Sequence, residues 1–296
     1  MSSALFAAID RQALVTRHNP RLQQIDYDAP LTVGNGGFAF TVDVTGLQTF
    51  EAAYYRRGIP LETLSRWCWV ADENPKGYQL ADTNQNFTLA DGRVQPFPTN
   101  SGTPAGDWLR RNPRDQPLGQ LALEWQKADG SPFVPDDVKD VDQRLDLWRG
   151  VIASRFTLGG VPVEVITACD SKTDSVAVRI VSDLVQNGTL RVRLGFPRGH
   201  DPAVKNTPAL DWSHAEAHQS NLMLPGMIKR TIGQTNYFVI SDRVFEASAE
   251  PHVFRIRPQG QSGELAFTLK FSPQETERAM RFDAVVQSSE EHWRSF

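Results

Sequence analysis

The chain has 296 residues, 40% hydrophobic and 22% charged, with a net charge of −4. That composition sets aside a disordered chain, because it holds enough apolar mass for a large buried core. The charges are well mixed, with no basic stripe to neutralise phosphates or coat an anionic bilayer, so neither nucleic acid nor membrane is an expected partner.

In the N-terminal segment MSSALFAAIDRQALVTRHNP, Leu5, Ala8, Ile9 and Gln12 recur at helical spacing and Asn19-Pro20 stops the pattern, which predicts a short helix. Asp10 lies inside the apolar stretch and no basic region precedes it. This argues against a signal peptide, and nothing elsewhere approaches ~18 continuous apolar residues, so the expectation is a cytoplasmic protein. Residues 31–50 read LTVGNGGFAFTVDVTGLQTF: a glycine-rich knot, then Phe38, Phe40, Val42 and Val44 on one face of an extended segment with Thr41 and Asp43 on the other, the period of a half-buried strand. Cys68 and Cys169 are the only cysteines, expected as two buried free thiols rather than a bridge or a zinc site.

Between residues 70 and 140 proline, glycine, asparagine and aspartate crowd together with little periodicity, which reads as long binding or covering loops. Leu121, Leu123 and Trp125 restore the strand pattern. In VIASRFTLGGVPVEVITAC, Ile152, Ser154, Phe156 and Leu158 run into Gly159-Gly160, and Val161, Val163 and Val165 run back out: a hairpin on a two-residue glycine loop. Further strands follow at Val176–Ile180, after the Asn187-Gly188 turn at Leu190–Leu194, and in TNYFVIS, HVFRIR and ELAFTLKF. The fold class is therefore mostly β, large antiparallel sheets stacked face to face, with a few short helices. One of these lies at the C-terminus, where Ser272-Pro273-Gln274-Glu275 and then Ser288 with Glu291 offer caps ahead of Trp293 and Phe296.

Candidate chemistry is sparse. The glycine knot precedes a strand and not a helix, so the amide cradle of a dinucleotide site is missing. It reads either as a plain turn, with glycine supplying positive φ, or as a turn that also presents Asn35 to a ligand. In LSRWCWV, Trp67 and Trp69 would share one face of a strand, as a stacking platform for a sugar or as core. In RGHDPAVKNTPALDWSHAEAHQS, the residues His200, Asp201, Asp211, His214 and His218 resemble metal-ligand material, and a helix through SHAEAH would align His214 with His218. The glutamate spacing of a zincin is absent, however, so no metal is expected. Loop polarity, with hydrogen bonds from residues such as Asp211 to sugar hydroxyls beside Trp212, accounts for the same letters. No G-x-S-x-G occurs, and no cofactor is implied.

VGNGGFAFTVDVTGLQTF, PLETLSRWCWV, NPRDQPLGQLALEW, LDLWRGVIASRFTLGGVPVEVITAC and HWRSF together resemble the N-terminal region of six-hairpin glycosidase-type proteins, the grouping that includes glucoamylases, maltose and kojibiose phosphorylases and certain α-L-fucosidases. The resemblance covers nearly the whole chain. It implies a galactose mutarotase-like β super-sandwich over residues 1–287, and from 288 to 296 the start of a linker helix toward an (α/α)6 barrel. It also implies that the general acid and base of an inverting reaction sit on that barrel, so no catalytic residue is assigned here. The expected partners are a carbohydrate and the helical barrel. The positions implied to approach the sugar are the GNG turn with Asn35 and the segment carrying Trp67 and Trp69; Gly37 stands where the related pattern commonly has an acid. Two other readings remain open: a free-standing carbohydrate-binding module stacking sugars on Trp67, Trp69 or Trp212, and a mutarotase-like epimerase using a histidine and a glutamate on a sheet face.

Overall fold

In the computed structural model, which describes residues 9–71, 73–99, 102–199, 210–258, 262–276 and 278–295, Gly159 and Gly160 take φ of 56° and 81°. Glycine reaches these values without a Cβ clash. They close the expected hairpin, Val151–Leu158 against Val161–Cys169, with Leu158 opposite Val161. This hairpin lies within a nine-stranded antiparallel sheet. Its spatial order is Arg21–Leu22, Val138–Asp146, Val151–Leu158, Val161–Cys169, Ser175–Val181, Glu264–Ser272, Thr235–Ser241, Met227–Ile232 and His218–Leu224.

Two smaller sheets face it. One has four strands, Phe245–Ala247, Val253–Ile256, Leu190–Gly195 and Gln120–Trp125; the other has three, Leu31–Gly34, Phe38–Val42 and Thr63–Ser65. Every second residue of these strands points inward, so Val178, Phe267 and Val239 of the large sheet share one core with Val192, Leu121 and Phe40 of the smaller ones. Burying each such side chain stabilises the fold by about 1.5–3 kcal/mol. The expected mostly-β sandwich is the observed architecture, and both cysteines are buried free thiols.

Between residues 70 and 140 the chain carries more structure than its composition predicts. Asn84–Thr88 pairs with Val94–Pro98 in a hairpin whose residues are all exposed. With no buried face it has no alternation to read. A helix, Pro104–Arg111, is capped by the Thr103 hydroxyl, which accepts from the Gly106 amide. Near the N-terminus the helix is Arg11–Thr16, capped by Asp10, later than the predicted pattern; Leu5 and Ala8 lie outside the described residues.

Two further expectations are corrected. The last helix runs Phe282–Ser295 and begins neither at Ser272 nor at Ser288. The Ser272 hydroxyl receives the Gln274 amide in a local turn. Phe282 and Val285 pack on Ala177, with Ile166, Ala266 and Val286 around them, and so pull the helix start forward onto the outer face of the large sheet. Ser288, in mid-helix, donates its hydroxyl to Asp170 Oδ1 instead of capping. No helix aligns His214 with His218 either: Ala215–Ala217 makes a single tight turn and His218 opens a strand.

His218 points into the sandwich, where it accepts from Arg230 Nη1 at 3.0 Å. Arg230 is fully buried and has no ion pair among the described residues. Its guanidinium is held by the Gln219 and Pro197 carbonyls, the Ser220 hydroxyl and the Phe196 ring. Burial, and next the Arg230 charge, lower the His218 pKa to about 3, so the imidazole stays neutral and able to accept.

Candidate functional site

The glycine knot is a hairpin turn: Gly34 stands opposite Ala39 and the Asn35 amide donates to Phe38 O. Gly36 has φ of 85° and open space around it, so its glycine answers a backbone need alone. A Cβ on Gly34 would sit 2.3 Å from Phe38 O, so this glycine answers a close approach. Asn35 turns its side chain inward and uses both ends of it. Oδ1 accepts from the amides of Gly37 and Phe38, at 3.0 and 2.9 Å, and Nδ2 donates to the carbonyls of Asp170 and Thr173, each at 3.1 Å.

The loop 170–175 that receives Asn35 is itself tightly bonded. Asp170 Oδ2 accepts from the Lys172 and Thr173 amides and from the Thr173 hydroxyl, while Oδ1 takes Ser288. Burial pushes the Asp170 carboxyl up, but these donors outweigh it and hold the group below the usual carboxylate range. Asp174 Oδ2 accepts from Ser65 Oγ and from Trp67 Nε1. Trp67 is half-buried and packs on the core, its ring 6.0 Å from Tyr237.

Trp67 and Trp69 do not form a shared platform. The regular strand is only Trp69–Val70, a turn precedes it, and Trp69 is 46% exposed while Trp67 leans inward. Trp69 stands directly opposite Asp115 in a two-residue pairing with Arg114–Asp115, so the two side chains share a face.

The last helix completes this end of the sandwich. Ser289 donates to the carbonyls of Arg149 and Gly150, and Glu290 pairs with Arg149. Gly150 has φ of 65°, and a Cβ there would lie 2.1 Å from Trp293 Cδ1, so the indole rests on bare backbone. Trp293, the 34–37 turn, Leu64, Arg66 and Asp115 line a recess of about 480 Å3. Its lining thus combines the glycines Gly34, Gly36 and Gly37, an indole, an arginine and an aspartate. Such a set suits a ring with one apolar face and hydroxyls at its edge. Among the described residues no nucleophile–base hydrogen bond joins these groups.

Asn35 and Trp67, named from the sequence, are next to lining residues in the chain and Trp69 is paired opposite one, but none of the three itself lines the recess, and sequence reasoning did not find Arg66, Asp115 or Trp293 as lining. The single hint was that Trp293 stands apolar and unaccompanied near the end of the chain. The other two expected residues lie on the four-stranded sheet. Trp212 covers Gly195, with the Arg193 guanidinium 5.0 Å from its ring, and Asp211 accepts from Ser213 and His214 and faces Arg198 at 3.4 Å. Among the described residues no group of three histidines, cysteines or carboxylates could hold a metal; His200 and Asp201 lie outside them.

Asp115 belongs to a set of coupled acids. Burial, and then the charges of Asp115 and Glu51, push Glu62 up to about 7, and its Oε1 is buried without a partner. A carboxyl raised in the folded state contributes stability at low pH that is lost as pH rises from about 4.5 through about 7. Glu62→Gln is therefore expected to match the parent at pH 4 and, with some screening by solvent, to exceed it by about 2 kcal/mol at pH 8. Urea unfolding at the two pH values checks this; equal stabilities at pH 8 would refute it.

No protein-family model matches the chain, and no curated protein matches it by sequence. Among solved structures it is similar to a protein from the human microbiome that carries the name of a kojibiose phosphorylase, at 8% identity and a TM-score of 0.48. The match covers 90% of this chain and 35% of that one, so this chain spans about a third of the length of that protein.

Proposed function

We propose that this β-sandwich is the non-catalytic, pocket-shaping part of a carbohydrate-active enzyme, a glycoside hydrolase or phosphorylase whose acid and base stand on a helical barrel reached through the last helix, Phe282–Ser295. The observation that carries this reading is the recess of about 480 Å3, where the 34–37 turn, Arg66, Asp115 and the helix residue Trp293 come together at one end of the sheets. A barrel reached through this helix would meet the sandwich at the end that presents the glycine turn. There Arg66 and Asp115 would narrow a sugar pocket and hold ring hydroxyls by charge-assisted hydrogen bonds.

The isolated chain is expected to show no turnover on a panel of aryl glycosides, with or without phosphate. The same chain continued into a helical barrel is expected to turn over, and Arg66→Ala in that longer protein to raise KM for the sugar about tenfold with kcat little changed. Robust turnover by the isolated chain would overturn the assignment. A free-standing sugar-binding module is the second reading, favoured by the exposure of Trp69 beside Asp115. Micromolar glycan-array binding by the isolated chain, lost in Trp69→Ala, distinguishes it.

A further inference from the structure

A cavity of about 860 Å3 opens at the other end of the last helix, on the outer face of the large sheet. Four arginines are among its lining residues, Arg179, Arg243, Arg278 and Arg281. Arg179 is half-buried, its Nε without a hydrogen-bond partner and its guanidinium 5.1 Å from the Phe282 ring. Arg243 is aimed by a 2.6 Å bond from its Nε to Ala266 O. Arg278 and Arg281 are exposed, and none of the four is in an ion pair among the described residues. Arginines that line one partly enclosed space without ion pairs can offer an oxyanion forked, charge-assisted bonds.

Acceptors are present as well. Asp242 is half-buried, with Oδ1 engaged by the Thr268 amide, and Glu264 and Asp283 complete the lining. The remaining wall, including Leu224, Met227 and Val244, is apolar. Guanidiniums select an oxyanion, free carboxylate oxygens accept from hydroxyls, and the volume lies in the range of small-ligand pockets, about 300–1,000 Å3. We infer that this cavity binds a small polyhydroxylated molecule carrying one oxyanion, a phosphate or a carboxylate. The site is separate from the recess at Trp293 and does not depend on the function proposed for it.

Isothermal titration of the chain with glucose 6-phosphate, glucuronate and glucose tests this. The two charged ligands are expected to saturate, at least one of them binding ten times or more tighter than glucose, and the affinity to drop several-fold in 0.5 M NaCl. Whichever of the two binds tighter identifies the phosphate or the carboxylate as the recognised group. The double variant Arg278→Ser/Arg281→Ser, on exposed positions that leave the core untouched, is expected to weaken binding at least tenfold, whereas Arg66→Ala at the other end leaves it unchanged. Charged sugars that bind no better than glucose, or a double variant with parental affinity, would overturn the inference. Equal loss in Arg66→Ala would transfer the ligand to the recess and also overturn it.

Discussion

Replacing Asn35 with alanine is expected to lower the unfolding free energy by about 3 kcal/mol, because four hydrogen bonds at roughly 0.5–1.5 kcal/mol each vanish together. Two of those bonds define the turn and two tie it to the 170–175 loop. That loop in turn holds Trp67 through Asp174 and the last helix through Asp170. The loss should therefore spread to the whole recess: hydrogen exchange at the Gly37 and Phe38 amides should rise, and so should exchange in the helix around Ser288. Asn35→Asp keeps the acceptor but loses the donors to two carbonyls, and is expected to recover protection at the turn and not at the helix. A variant at parental stability would mean that Asn35 is free for a ligand, contrary to the bonding observed.

Asp43 yields the second large effect. It is fully buried; Oδ1 accepts from the Thr45 amide and hydroxyl, at 2.8 and 2.6 Å, and Oδ2 from the Phe50 amide at 2.8 Å. Asp43→Ala strands three buried donors and is expected to cost about 3–5 kcal/mol near pH 5. Burial, opposed by these same hydrogen bonds, pushes the carboxyl up to about 6. Its folded-state pKa is raised, so the stability it contributes is complete below the unfolded value near 4 and is lost as pH rises through about 6. Asp43→Asn cannot ionise. The advantage of the parent over Asp43→Asn should be greatest near pH 4 and shrink by about 3 kcal/mol by pH 8. Chemical denaturation across that range reads the difference directly, and a gap that widened with pH would contradict the assignment.

His218 works in the opposite direction. Its lowered pKa means that the unfolded chain binds more protons between about 3 and 6.5, so its contribution is lost as pH falls through that window. Between about pH 4 and 6 the two slopes oppose each other, so the single variants at His218, Asp43 and Glu62 are what separate the contributions.

Much of the fold can be read from the letters, and the reason is local. In Val151–Leu158 and Val161–Cys169 a period of two, broken by a glycine pair, specifies strand, turn and register within twenty residues, and no distant contact has to be known. The same reading reaches the 34–37 turn, because positive φ and an Asx-type side chain are local demands. It fails where a neighbour decides. Ser288 carries the letters of a cap, yet Phe282 and Val285 find Ala177 and start the helix a turn and a half earlier. Trp67 and Trp69 alternate as a strand would, yet Asp174 draws one indole inward while the other stays in solvent.

Arg230 alternates with Ile228 and Ile232 on the inward face, and only the carbonyls and imidazole awaiting it make that position tolerable for a charge. The sequence by itself determined the strands that alternate and the turns that need glycine, such as Phe38–Val42 and the Gly159-Gly160 hairpin, because hydrophobic alternation and glycine conformations act over a few residues. Only the tertiary structure decided the site, because Gly37, Arg66, Asp115 and Trp293 come from four separate segments. They meet where the pairing of sheets and the docking of one helix carry them, and that meeting depends on contacts no local pattern encodes.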